Sequence, residues 1–117
     1  MRTTGDHYEM LAKEHLEKNG LLLIARNFNC RHGEIDLVMQ DGSTVVFAEV
    51  RFRRSAGFGG ALASVGASKR QRLIKAASMF LLARPELASR PCRFDVVAIE
   101  GAALPPAILW CRNAFET

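Results

Sequence analysis

An Asp41-Gly42 dipeptide between two apolar runs is the feature that most constrains how this chain folds. The runs cover residues 34–40 and 44–53 and are rich in β-branched and apolar residues. An Asp-Gly pair between two such runs is a strong signal for a β-hairpin. With Asp41-Gly42 as a two-residue turn, Gln40 would face Ser43. The sequence therefore predicts an antiparallel hairpin over residues 34–53.

The predicted hairpin carries charged side chains inside otherwise apolar strands. Because strand side chains alternate between faces, one face is expected to hold Glu34, Asp36, Glu49 and Arg51. In this register Glu34 lies opposite Glu49. The other face is expected to be continuously apolar, with Ile35, Leu37, Met39, Val46, Ala48, Val50 and Phe52.

Three carboxylates on one patch require a cation, because opposed carboxylates repel and burying an unpaired charge is costly. Arg51 would supply part of the positive charge. Mg²⁺, which prefers carboxylate oxygens, is a candidate for the rest. The alternative is a solvated outer face held by salt bridges, since antiparallel sheets often leave one face exposed to water.

The remaining periodicity predicts an α/β fold with the order αβββαββ, a mixed β-sheet of about five strands flanked by helices. The predicted elements are helices over residues 5–18 and 68–83, a loop over 54–68, and strands over 21–28, 34–40, 44–53, 92–100 and 108–112. Gly20 would end the first helix and Pro85 the second. A right-handed crossover through the second helix would join strands three and four. Asp95, in the apolar fourth strand, is expected to pair with Arg93 or with the basic second helix.

Composition favours one compact domain over residues 1–117, with 49% hydrophobic residues available for a single core. Three widely spaced cysteines without a Cys-x-x-Cys pair argue against a disulfide framework, and Cys30 with His32 lacks a second pair of zinc ligands. Residues 1–6 lack the apolar core of a signal peptide, and no apolar run reaches membrane-spanning length. The sequence therefore predicts a cytoplasmic protein without a membrane partner.

Positive charge is concentrated in one part of the chain. Between Arg51 and Pro85 there are eight basic residues and no acidic one, in a chain of net charge +4. Such a stretch is typical of a surface that binds a phosphate backbone. The candidate contacts are Arg53, Arg54, Lys69, Arg70, Arg72 and Lys75. A solvated helix face gives the same pattern, and no aromatic stacking series accompanies it.

The segment Gly33-Glu34-Ile35-Asp36-Leu37-Val38, followed by Glu49-Val50-Arg51, resembles the bacterial YraN-like proteins. These are small relatives of the PD-(D/E)XK nucleases, which include archaeal Holliday-junction resolvases and restriction endonucleases. The resemblance covers nearly the whole chain and also includes Gly5, Glu9, Ala12, Gly20, Arg26-Asn27, Phe58-Gly59, Lys69 and Arg93-Phe94-Asp95-Val96-Val97. It implies a restriction-endonuclease-like fold and a Mg²⁺- or Mn²⁺-dependent phosphodiesterase acting on branched or damaged DNA, alone or as a homodimer.

The resemblance also implies roles for individual residues. Asp36 and Glu49 would bind the metal together with the backbone carbonyl of Val50. Glu9 would add a ligand from the first helix, and Glu34 would be a further ligand or an outer-shell partner.

Arg51 stands where the family pattern usually has lysine. Because arginine stays protonated, Arg51 cannot act as a general base. It can hold the scissile phosphate by two parallel hydrogen bonds, which leaves the activation of water to the metal. The alternative function is a nucleic-acid-binding or protein-interaction domain that keeps the nuclease fold without cleaving.

Overall fold

The computed structural model describes residues 4–53, 65–101 and 105–116, the side chains of residues 4 and 5 excepted. Its elements are α1 (Thr4–Lys18), β1 (Leu22–Cys30), β2 (Gly33–Asp41), β3 (Thr44–Arg53), α2 (Ala67–Ala83), β4 (Cys92–Glu100) and β5 (Ala107–Phe115). The predicted αβββαββ order is confirmed. Arg54, Phe58, Gly59 and most of the predicted 54–68 loop lie outside the described residues.

The five strands form one mixed sheet in the order β1-β2-β3-β4-β5. Strands β3 and β4 are parallel and the other neighbours are antiparallel. Helix α1 packs on one face and α2 on the other, so β4 is buried from Phe94 to Ile99, as predicted for a strand covered on both sides. Within the described residues, neither helix is long and apolar enough to cross a membrane.

Helix α1 ends at the predicted glycine. Gly20 has φ +93°, a conformation that glycine adopts without steric cost. Its N–H donates to the carbonyl of Glu17 at 3.0 Å, and the N–H of Leu21 donates to the carbonyl of Leu16 at 3.1 Å. This pair of bonds is a Schellman motif, which satisfies carbonyls that the helix leaves free. It turns the chain so that Leu16 and Leu21 are both buried.

The β2–β3 hairpin turns one residue later than predicted. Asp41 pairs with Thr44, and Gln40 pairs with Val45 rather than Ser43. The turn residues are therefore Gly42, with φ +60°, and Ser43. Asp41 stays in the strand because its carboxylate also binds Arg93 of β4, with Nη1 and Oδ2 2.9 Å apart.

This register changes the predicted neighbours of the carboxylates. Leu37 lies opposite Ala48, which brings Asp36, and not Glu34, beside Glu49. The prediction that Glu34 faces Glu49 was wrong. The pairing moves by two positions in total, so a residue keeps its face, because strand faces alternate with a period of two.

The predicted apolar face is confirmed in its central part, where Leu37, Met39, Val46 and Ala48 are fully buried with α1. Ile35 instead packs in the cluster that contains α2. The strands are irregular at this level, since Asn27 of β1 has φ +53°. The alternative of a solvated outer face is wrong for Glu49, which is 3% exposed beside α2, although the salt bridges of that alternative are present. Glu34 and Asp36 lie beside Glu9 of α1 instead, so the predicted shared face does not hold for all four charged residues.

Candidate metal centre

Three carboxylates meet beside the first helix. Glu9 comes from α1, and Glu34 and Asp36 come from β2, with one oxygen of each within 4.8 Å of the others. Tyr8 packs against the core cluster on the α1 side of the sheet. Glu9 is the next residue of the helix, so its side chain lies beside this contact. Carboxylates at this spacing repel each other unless a proton or a cation lies between them. Oxygen ligands of this kind suit a hard divalent cation.

Glu49 extends this cluster to β3. The last backbone pair between β2 and β3 is Leu37 with Ala48. Beyond this pair, the side chain of Asp36, rather than the backbone of β2, binds the backbone of β3. Asp36 Oδ2 accepts the N–H of Val50 at 2.8 Å. Asp36 also lies close enough to Glu49 to act electrostatically on its carboxyl group. The carboxylates therefore run continuously from α1 through β2 to β3.

Burial changes the acidity of two of these groups. It raises the pKa of Glu49 to about 8, with the Asp36 carboxylate adding to the rise and Lys69 and Arg51 opposing it. Burial also raises the pKa of Glu9 to about 7, with Asp36 and Glu34 adding to the rise. A metal ion that bound these groups would therefore compete with protons for them.

Two carboxylate oxygens in the cluster have no hydrogen-bond partner among the described residues. They are Oε1 of Glu9 and Oε1 of Glu49, and both atoms are buried. A buried polar atom without a partner is costly, and it requires a ligand, a proton donor or water to satisfy it. The two oxygens belong to groups on either side of Asp36. Glu9 is in the group whose oxygens approach within 4.8 Å, whereas Glu49 lies outside that group.

Two basic side chains reach the same oxygen of Glu49. Arg51 Nη1 lies 3.3 Å from Oε2, and Lys69 Nζ from the first turn of α2 lies 3.5 Å from it. Sequence reasoning placed Arg51 on this face. It assigned Lys69 only to general phosphate contact, because the approach of α2 to β3 is a tertiary feature.

The other predicted basic residues that the structure describes have different surroundings. Arg72 lies beside the start of β2, with its Cβ 3.6 Å from where a Cβ of Gly33 would stand. Arg70 lies on the other side of α2, where its guanidinium sits 5.4 Å from the Phe115 ring centroid and its Nε donates to the carbonyl of Val65. Arg53 and Lys75 are exposed, and Arg54 lies outside the described residues.

Sequence reasoning assigned no role to Asn27. Its side chain forms a hydrogen bond with Glu9, which lowers the pKa of that carboxyl against the effect of burial. Asparagine tolerates a positive φ, and an Asn at this point in a strand is the signal for it. Cys30 and His32, in the part of the chain that is described, join no group of three metal-ligand side chains.

Comparison with known proteins finds relatives that match nearly the whole chain. The family profile described as "Uncharacterised protein family UPF0102" matches residues 8–99. A UPF0102 protein of Stutzerimonas stutzeri is 53% identical over 116 residues, covering 99% of this chain and 97% of the relative. A UPF0102 protein of Pseudomonas fluorescens is 52% identical over 115 residues, covering 97% and 94%. One from Ectopseudomonas mendocina is 56% identical over 110 residues, covering 92% and 90%.

Proposed function

We propose that this chain, which belongs to the UPF0102 family, is a metal-dependent phosphodiesterase of the PD-(D/E)XK type that acts on DNA. The observation that carries the proposal is the convergence of Glu9, Glu34 and Asp36 within 4.8 Å, next to the buried Glu49. The resemblance of the Glu34–Asp36 and Glu49–Arg51 segments to that nuclease superfamily supports it. Branched or damaged DNA is the substrate class that this resemblance favours.

The residues present fit a Mg²⁺ or Mn²⁺ ion. All the side-chain donors are carboxylate oxygens, and two buried oxygens of the cluster, one of Glu9 and one of Glu49, have no hydrogen-bond partner among the described residues. Asp36 and Glu49 would hold the ion with Glu9 and the carbonyl of Val50, and Glu34 would complete or support this set. A bound ion would act as a Lewis acid on a phosphoryl oxygen and lower the pKa of a water molecule.

The protein's own side chains would hold the substrate and the ligands in place. The Val50 N–H fixes the orientation of the Asp36 carboxylate through a bond of 2.8 Å. Arg51 would bind the scissile phosphate and offset the charge that builds up on its oxygens. The exposed Arg53, Arg72 and Lys75 would contact further phosphates of the nucleic-acid backbone.

The proposal is tested by incubating purified protein with branched, flapped and single-stranded DNA in the presence of Mg²⁺ or Mn²⁺. A variant carrying both Asp36→Asn and Glu49→Gln controls for contaminating nucleases. We expect the wild type to cut at least one substrate and the variant to cut none. Equal cutting by both proteins, or no cutting by either, would refute the enzymatic proposal.

A second candidate function is a non-catalytic nucleic-acid-binding or protein-interaction domain with the same fold. The observation that favours it is the pair of basic groups beside Glu49, since Arg51 Nη1 and Lys69 Nζ lie 3.3 and 3.5 Å from its Oε2. In this case the wild type shifts DNA on a gel without cutting it. The double variant would then bind DNA as well as the wild type does.

Mn²⁺ is expected to raise the melting temperature more at pH 8 than at pH 6. The metal must displace the protons from Glu9 and Glu49, whose pKa values are raised to about 7 and about 8. Protons therefore compete more strongly at pH 6 and weaken metal binding there. A ligand at one hundred times its Kd stabilises the folded state by about 2.7 kcal/mol.

Differential scanning fluorimetry over a Mn²⁺ titration measures this effect. The variant with Asp36→Asn and Glu49→Gln should lose the stabilisation at both pH values. An equal or larger shift at pH 6 would show that the ion binds elsewhere.

A further inference from the structure

Lys69 occupies an electrostatically unfavourable place for a cation. It lies in the first turn of α2, which contains no acidic residue and begins at Gly66 without a side-chain cap. The N-terminus of a helix carries partial positive charge, which disfavours an ammonium group there. Glu49 is the carboxylate that compensates, with Lys69 Nζ 3.5 Å from its Oε2. The position of this lysine therefore depends on the charge of Glu49.

The two carboxylate oxygens of Glu49 differ in their partners. Its Oε2 faces the two cations, Arg51 and Lys69, while its Oε1 is buried without a partner in the described part of the chain. A divalent cation that bound Oε1 together with Asp36 would place new positive charge close to both basic groups. The lysine is the group better able to move, because its compact ammonium lies on a flexible four-carbon stem. Its side chain is also 29% exposed, so it is in contact with solvent.

We propose that Lys69 is an internal counter-ion, which a divalent cation displaces from Glu49 and which then binds the phosphate of the nucleic-acid substrate. This inference rests on the proposed function and adds an order of binding to it, with the metal first and the phosphate second. With Glu49 bound to a metal ion, less negative charge would be available to Lys69, and a substrate phosphate would become its nearest anionic partner. Metal and DNA binding are therefore positively coupled, and the coupling acts equally in both directions.

The first measurement is the affinity of Lys69→Met for Mg²⁺ and Ca²⁺, determined by isothermal titration calorimetry at pH 8.5, where protons compete little. Removing the competing ammonium should tighten metal binding by at least about fivefold, the lower end of typical coupling between two sites. Lys18→Met, at an exposed lysine of α1, removes the same charge elsewhere and should leave the affinity unchanged. Lys69→Gln replaces the Met variant if that protein does not fold.

The second measurement is the affinity for flapped DNA by fluorescence anisotropy, with and without Ca²⁺, with a gel confirming that the DNA stays intact. Ca²⁺ should tighten DNA binding to the wild type by at least about fivefold, and this gain should disappear in Lys69→Met. Metal binding no tighter in Lys69→Met, or an undiminished Ca²⁺ gain in DNA affinity, would overturn the role of Lys69 and leave the metal centre standing. A wild type that binds neither ion would instead overturn the metal centre itself.

Discussion

Glu49→Gln is expected to reduce metal-dependent DNA cleavage by more than the roughly hundredfold that the loss of an outer-shell partner can cost. Glutamine keeps the size of the side chain, but it offers one neutral oxygen where the carboxylate offers two charged ones. The buried Oε1, which has no partner among the described residues, is the atom that the metal would use. Single-turnover cleavage of a flapped DNA measures the loss. Glu14→Gln, on the exposed face of α1, is the matched control and should cleave as the wild type does.

The same substitution is expected to flatten the dependence of stability on pH in the metal-free protein. Burial raises the pKa of Glu49 from its ordinary value of 4.5 to about 8 in the folded protein. The folded protein therefore holds a proton that the unfolded chain has lost, and stability falls as the pH rises from about 4.5 to about 8. Glutamine has no proton to lose, so the part of the fall that comes from Glu49 should disappear.

Urea unfolding at pH 5, 7 and 9 separates this effect from the catalytic one. Glu9 remains in the variant and retains its own, smaller share of the fall, since its pKa is about 7. A variant that keeps its nuclease activity would exclude Glu49 from the metal centre. If Glu49→Gln and the wild type showed the same dependence of stability on pH, the ionisation of Glu49 would not contribute to the fall in stability.

Local sequence signals predicted the strands and helices closely, because the turn and helix-ending residues agree with the spacing of the apolar residues. The predicted strands over 44–53 and 92–100 match β3 and β4 residue for residue. The short edge strand predicted over 108–112 runs further, from Ala107 to Phe115. Polar Asn113 interrupts the apolar pattern, but its N–H donates to the buried Asp95 at 2.9 Å, so a tertiary bond extends the strand.

The candidate site was predictable in its residues and less so in its contacts. Asp41 suits a turn or the last position of a ladder equally well, and an ion pair with the distant Arg93 decides between them. The pairing of Lys69 with Glu49 depends on where α2 crosses the sheet, which no local pattern specifies. The polar character of the site residues is visible in the sequence, whereas their partners are set by tertiary packing.

Asp95→Asn is expected to lower the free energy of unfolding by about 3 kcal/mol, near the lower end of the cost of breaking a buried ion pair. Asp95 is fully buried in β4 and accepts hydrogen bonds from Arg93, Trp110 Nε1 and the N–H of Asn113. These contacts agree with the predicted pairing of Asp95 with Arg93. An amide in its place loses the charge and presents one face that donates, so at least one of the three donors is left without an acceptor.

Asp41→Asn is the matched control, because Asp41 binds the same arginine from a side chain that is 40% exposed. Exposed ion pairs contribute about 0.2–1 kcal/mol, so this variant should stay close to the wild type. Urea unfolding followed by the fluorescence of Trp110, the single tryptophan, reports on the affected region directly, and circular dichroism follows the whole fold. Equal losses of unfolding free energy in the two variants would show that burial does not strengthen the contribution of the Asp95 bonds to stability. Because Asp95 lies among structural partners, the folded fraction of Asp95→Asn should bind DNA as tightly as the wild type does.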